Sequence, residues 1–305
     1  MPRDMRDAVF EEILALARLD RSVMLLTADL GAFGLIKFRR ELPDRVINMG
    51  VAEQNMINVA AGLALGGKKV FVYSIIPFVT LRCLESIKVN LADMELGVCI
   101  VGGGAGFTYG GDGPTHHALE DVAVMTALGR VELHTPGDLT SARQAVRSAY
   151  GQGGGPSYIR LENGSYDDLY ATAQEAERGW KVIAPGRELC VLSYGAMTHQ
   201  VLKAVGGRLG REVGLIDVCR PNQLTADGLK QCLGSAKKIL TVEEHLVWGG
   251  LGTRVVELLS GEGYSIQKMG VTEFGLNGGS RQWLWEQNGL NLSGLASAIE
   301  KGLNQ

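Results

Sequence analysis

The chain has little of what disulfide-stapled or metal-stapled folds depend on. Its five cysteines, Cys83, Cys99, Cys190, Cys219 and Cys232, are odd in number, widely spaced and mostly set in apolar segments. That argues against a disulfide framework, offers no Cys-x-x-Cys pair, and leaves buried free thiols as the expectation. Basic charge is also lacking: the net charge is -3, so a nucleic-acid footprint is absent. No Lys/Arg run flanks an amphipathic stripe, as a membrane-surface helix requires. Nor does any apolar run reach the roughly 20 residues of a bilayer span. The opening "MPRDMRDAVFEEI" has no apolar signal-peptide centre, and with Met1 ahead of a helix start the expectation is that no element is severed there. The expectations are a cytoplasmic protein, no nucleic acid, no membrane, and small molecules or proteins as partners.

Proline is scarce and glycine is not, 8 against 42. Corners must therefore be turned by positive φ or close backbone approach, as where strands lead into helices in α/β proteins. With 46% hydrophobic and 21% charged residues the chain can build sizeable cores, and 305 residues are comfortable for two domains. Short apolar runs at 22–28, 45–49, 69–74, 97–103 and 156–162 read as buried parallel strands. Helical patterns at 5–17, 52–65, 79–93, 118–128 and 137–150 alternate with them. The rhythm fades after residue 162, and a second series follows, with strands at 189–195, 212–218, 238–244 and 264–270. Helices are expected near 198–208, 225–234, 250–260 and 291–302. The expected fold class is α/β, two parallel or mixed-sheet α/β domains spanning 1–170 and 189–305, joined by a linker at 171–188.

The sharpest local feature is "INMGVAEQNMINVAAGLALGG", residues 47–67. A strand ends at Met49, Gly50 turns the corner, and a small-residue helix begins at once. Glu53 falls in its first turn, at the carboxyl end of a strand, where free N–H groups and the helix dipole favour a carboxylate and where α/β sheets hold ligands. A first-turn Glu is also an ordinary stabilising choice, so position alone does not decide its role. The second feature is "YGGDGPTHH", residues 109–117, a glycine-rich turn ending in two histidines.

"GVAEQNMINVAAGLAL" together with "GGDGPTHH" resembles the pyrimidine-binding domain of the transketolase family, which includes the deoxyxylulose-phosphate synthases. "VEEHLVWGGLGTRVVELL" at 242–259 is similar to the family's C-terminal domain. The resemblance implies thiamine diphosphate as cofactor, an electron sink whose carbanion attacks a ketose carbonyl. It implies that Glu53 hydrogen-bonds the aminopyrimidine nitrogen N1′ and so polarises the ring's own base. Asp29 in "TADLG" matches a family aspartate near the cofactor, with a turn or N-cap role as the competing reading. Phe78 in "YSIIPFVTLRCLESIK" matches an aromatic that stacks on the pyrimidine, although Ile76 or a core role for Phe78 competes. His116 and Asp112 match substrate-facing residues, His116 being suited to proton transfer near neutral pH. Arg160 in "YIRLE" matches an arginine that contacts substrate phosphate, with a structural ion pair as the alternative. His117 and His245 are expected to be structural.

Transketolases proper carry a histidine where Gly104 stands here, so one substrate contact is absent. The family's other GDG, followed about thirty residues later by asparagines, holds Mg²⁺ and the diphosphate in a separate N-terminal domain. No asparagine pair lies at that distance after Gly113. The resemblance therefore implies the C-terminal subunit of a split transketolase, in which a partner N-terminal chain binds Mg²⁺ and the two assemble as an α2β2 heterotetramer. On that reading GDG at 111–113 is a substrate-facing loop and this chain itself binds no metal. The competing functions are a 2-oxoacid dehydrogenase beta-type subunit and a non-catalytic scaffold.

Overall fold

The computed structural model describes residues 4–151, 153–275 and 277–304. Its first half is a six-stranded sheet of β1 (Val23–Thr27), β2 (Val46–Asn48), β3 (Lys69–Ile75), β4 (Val98–Gly103), β5 (Glu132–His134) and β6 (Ser157–Leu161). The strands lie in the order β2-β1-β3-β4-β6-β5, and every pairing is parallel. All six residues of β4 and all five of β6 are buried, the pattern of strands covered on both faces. The helices Met5–Leu19 and Leu139–Gly151 pack on one face around Phe10, Ile13 and Val146.

The second half is a five-stranded sheet of β7 (Lys181–Ala184), β8 (Leu189–Ser193), β9 (Val213–Asp217), β10 (Lys238–Leu246) and β11 (Ser265–Val271). Its order is β11-β10-β8-β9-β7, parallel except where β7 runs against β9. The two α/β sheets are thus as expected, one parallel and one mixed. The segment 171–188, expected as a linker, is instead structured. Thr172 caps a short helix Ala173–Glu177, and β7 takes the free edge of β9, where its backbone groups find ladder partners.

Three further elements escaped the sequence reading. They are the helix Phe33–Glu41, the edge strand β5, and the helix Arg281–Gln287. Each is short or only partly buried, so its apolar periodicity is weak. Four of the cysteines are buried as expected, whereas Cys232 is half-exposed and receives the indole N–H of Trp180. Among the described residues no helix is long and apolar enough to cross a membrane.

The halves are stitched together by backbone and side chain. Thr135 donates to the carbonyls of Cys219 and Val218, and His199 Nε2 lies 2.7 Å from the Gly137 carbonyl. Leu246 N–H donates to the Leu119 carbonyl. One apolar cluster runs from Leu26 and Tyr158 across to Leu192 and Ile216.

Candidate active site

The site forms at the carboxyl edge of the first sheet. After β1 the chain goes outward to β2 and then returns past β1 to β3, so the edge between β1 and β3 is a topological switch point, a natural crevice in open α/β sheets. The return path is the helix Glu53–Leu65, entered through Gly50 at φ +69°. Glu53 is its first residue and is only 3% exposed. Its Oε2 accepts from Arg82 Nη1 at 2.8 Å, and its Oε1 accepts a longer bond, 3.3 Å, from the Ser74 hydroxyl at the end of β3.

Asp29, two residues past the end of the β1 ladder, has φ +53°, a left-handed conformation that costs a non-glycine residue about 1–2 kcal/mol. A reciprocal pair offsets that strain. Asp29 N–H donates to Asn48 Oδ1, and Asn48 Nδ2 donates to Asp29 Oδ1, both at 3.0 Å. Asp29 is thus a turn residue at the rim and not an N-cap, since the following helix is capped at Ala32 without a side-chain bond.

Phe78 and Ile76 part company in the structure. Ile76 is fully buried with Ala105 and Ala118, against Gly102, where a Cβ would collide with it. Phe78 stays half-exposed, with the Arg82 guanidinium 4.4 Å over its ring and the His116 ring edge-on at 4.9 Å. Glu53, Arg82, Phe78 and His116 therefore form one continuous line of contacts, drawn from three separate segments of the chain.

The "GGDGPTHH" stretch folds as two single turns of tight helix, Gly110–Asp112 and Pro114–His116, joined by Gly113 at φ +80°. Asp112 is exposed, and His116 is half-buried with Nδ1 3.0 Å from the Thr115 hydroxyl. His117 turns the other way, as expected of a structural histidine. Its Nε2 lies 3.3 Å from the Gly110 carbonyl, its ring meets Phe107 edge-on, and burial lowers its pKa. Gly104 has φ +88°, and a Cβ there would overlap the Tyr109 ring. Tyr109 thus occupies the space beside Gly104.

The second domain braces this loop. Glu244 Oε1 accepts from Phe107 N–H at 2.9 Å, Arg281 Nε at 3.0 Å and Trp285 Nε1 at 2.7 Å, while its Oε2 pairs with Arg281 Nη2. Arg281 also reaches Glu162 at 2.7 Å, and these two carboxylates raise its pKa against the opposing effect of burial. Gly279 N–H donates to the Gly110 carbonyl. His245 is fully buried, with Nδ1 2.8 Å from the Leu246 carbonyl and Nε2 accepting from Ala123 N–H, so it too is structural.

Of the two readings of Arg160, a substrate-phosphate contact and a structural ion pair, the ion pair is the one its side chain makes: it is 2% exposed and bonded inside the protein. Its Nε donates to Asp121 Oδ2 at 2.9 Å, and its Nη2 donates to the carbonyls of Ala118 and Glu244, each at 3.0 Å. β6 is paired on both sides, by β4 and β5, and buried along its whole length, so its side chains point into packing and not toward solvent. The sequence reading missed Arg82, Ser74 and Tyr109. Arg82 shares its segment with Glu85 and Lys88, so its charge did not set it apart in the sequence.

Fold and edge define a two-domain α/β protein with a buried carboxylate, a ring and an imidazole gathered at an open sheet end. Residues 1–168 match the family "Transketolase, pyrimidine binding domain", and residues 179–284 match "Transketolase, C-terminal domain". The chain belongs to the transketolase family, with the character of a split C-terminal subunit. It is 30% identical to one of the subunits of the apulose-4-phosphate transketolase of Phocaeicola vulgatus, over 97% of this chain and 96% of that one. It is also 30% identical to 1-deoxy-D-xylulose-5-phosphate synthase of Clavibacter sepedonicus, over 95% of this chain but only 45% of that protein. Among solved structures, a split-gene transketolase determined as an inactive β4 tetramer superimposes with a TM-score of 0.87 at 29% identity, covering 99% of this chain and 98% of that one.

Proposed function

We propose that this chain is the pyrimidine-binding and C-terminal subunit of a two-chain, thiamine-diphosphate-dependent transketolase. It moves a two-carbon ketol unit from a ketose to an aldehyde or aldose acceptor. The observation that carries this reading is Glu53: a buried carboxylate at the switch point, with one oxygen tied by Arg82 and the other held only loosely by Ser74. That second oxygen suits an aminopyrimidine ring nitrogen, and the half-exposed Phe78 ring beside it suits a stacked heterocycle. When bound, thiamine diphosphate supplies the electron sink for the two-carbon fragment.

With the cofactor bound, Glu53 would accept a hydrogen bond from the protonated pyrimidine nitrogen N1′ and so favour the polarised ring, and Asp29 would lie at the cofactor's rim. His116 holds or moves a proton at its ring nitrogen, and Asp112 accepts a substrate hydroxyl. No substrate phosphate contact is assigned to Arg160, which is committed to the interior. The Mg²⁺ and diphosphate site belongs to a partner chain, in an α2β2 assembly. Large apolar side chains exposed on the segments after β1, β2 and β3, namely Phe33 at 83%, Val51 at 77% and Leu81 at 40%, support a partner at this edge. So does the Phocaeicola vulgatus relative, itself one subunit of a transketolase and matched over nearly its whole length.

The test is reconstitution with a chain that carries the diphosphate domain, followed by Glu53→Gln. The chain alone should be inactive, the complex active, and E53Q slower in kcat by about 100-fold or more. Ketol transfer by the isolated chain would overturn the split assignment, and near-normal turnover by E53Q would overturn the site.

A further inference from the structure

We propose that Arg82 is the positioning residue and counter-charge of Glu53, fixing one carboxylate oxygen so that the other faces the aminopyrimidine. This rests on the reading of Glu53 as the pyrimidine contact. A carboxylate that is 3% exposed needs a partner, because burying it unpaired is costly. The helix it starts has no side-chain cap, and among the described hydrogen bonds Arg82 supplies the one cation on it.

The geometry makes Arg82 more than a surface ion pair. Its side chain is 47% exposed, which by itself would make the pair weak. Its backbone, however, is pinned by a closely bonded turn. Thr80 N–H and Oγ1 both donate to the Ile76 carbonyl, Arg82 N–H donates to Pro77, and Cys83 N–H donates to Thr80. Ile76, at the root of that turn, is locked into the core. The guanidinium then lies 4.4 Å over the Phe78 ring, and a planar, delocalised cation can stack and donate at the same time where an ammonium cannot. Arg82 thus couples the two groups that must be in register for one heterocycle: the carboxylate at its edge and the ring on its face. With Oε2 occupied at 2.8 Å and Oε1 held at only 3.3 Å, the carboxylate has a defined open side.

A double-mutant cycle reads the pairing without any turnover. In the cofactor-free chain Arg82→Gln is expected to lower the thermal midpoint, because it strands a buried carboxylate. R82Q/E53Q, with no charge left to strand, recovers most of that loss, whereas simple addition of the two single losses would overturn the proposal. In the two-chain complex, calorimetric binding of thiamine diphosphate at fixed Mg²⁺ should weaken about tenfold in R82Q, the equivalent of one charge-assisted hydrogen bond. R82K, which keeps the charge but not the stack, should fall between. Wild-type affinity in R82Q overturns the proposal. Should R82Q not fold, R82K carries the test, and wild-type affinity there overturns the role of the guanidinium. If E53Q itself binds cofactor and turns over normally, the functional reading fails. If E53Q fails and R82Q does not, only the role of Arg82 fails.

Discussion

Replacing Arg160 by methionine separates a substrate contact from a structural latch. The guanidinium donates to Asp121, Ala118 and Glu244 from a position 2% exposed, and Tyr158 OH donates to the same Asp121 oxygen at 2.7 Å. Removing one partner of a buried ion pair costs about 3–5 kcal/mol, because the remaining charge is left without compensation. Two backbone carbonyls lose a donor as well, each worth about 1 kcal/mol or more if water cannot replace it. A total near 5 kcal/mol corresponds to a midpoint drop of about 10 °C or more at roughly 2–4 °C per kcal/mol. Thermal unfolding of the isolated chain, followed by circular dichroism, measures this directly. R160M/D121N keeps an acceptor for Tyr158 but removes the stranded charge, so it should regain part of the loss. A wild-type midpoint in R160M, with a raised KM for a phosphorylated ketose in the complex, would refute the latch and restore the phosphate contact.

Two more outcomes follow from the geometry. Gly104→Ala places a Cβ into the Tyr109 ring at a φ of +88°; it should destabilise the chain by about 1–3 kcal/mol and displace the loop that carries His116, read as a lower midpoint and reduced kcat. Normal values for both would show that Tyr109 has room to move. Asp217 lies buried under the hydroxyls of Thr198 and Tyr170, and burial pushes its carboxyl up to about 7 from an ordinary 3.8. In the folded state it keeps its proton where the unfolded chain has lost it, so its stabilising contribution is full below about 4 and is lost as pH rises through 7. The total is on the order of 4 kcal/mol. Asp217→Asn should therefore improve relative to wild type as pH is raised from 5 to 8, and a difference in midpoint that stays constant with pH would refute the buried acid.

Strand positions and the two α/β sheets were legible because continuous apolar runs bounded by glycine corners are local signals, whereas the family was legible only through the resemblance of two phrases, "GVAEQNMINVAAGLAL" and "GGDGPTHH". The place of Glu53, in a helix's first turn directly after a strand end, was legible in five residues, but its role came from the resemblance and not from that position. What local pattern could not carry was direction. Phe78 and Ile76 are two residues apart in one turn, and only packing against Gly102 and Ala118 sends one inward and leaves the other at the edge. Arg160 looked like an anion ligand by type and place. The Asp121 that claims it is 39 residues away, and the Glu244 carbonyl comes from the other domain.

The sequence by itself determined the alternation of strand and helix, the carboxylate at a strand end, and the glycine turn ahead of His116, because each depends on residues within one turn or strand of each other. Only the tertiary structure decided that Arg82 reaches Glu53 across 29 residues and that the second domain's Glu244 and Arg281 brace the histidine loop. Those contacts depend on which strand ends lie side by side, and that is set by sheet order and domain docking, not by any run of neighbouring residues.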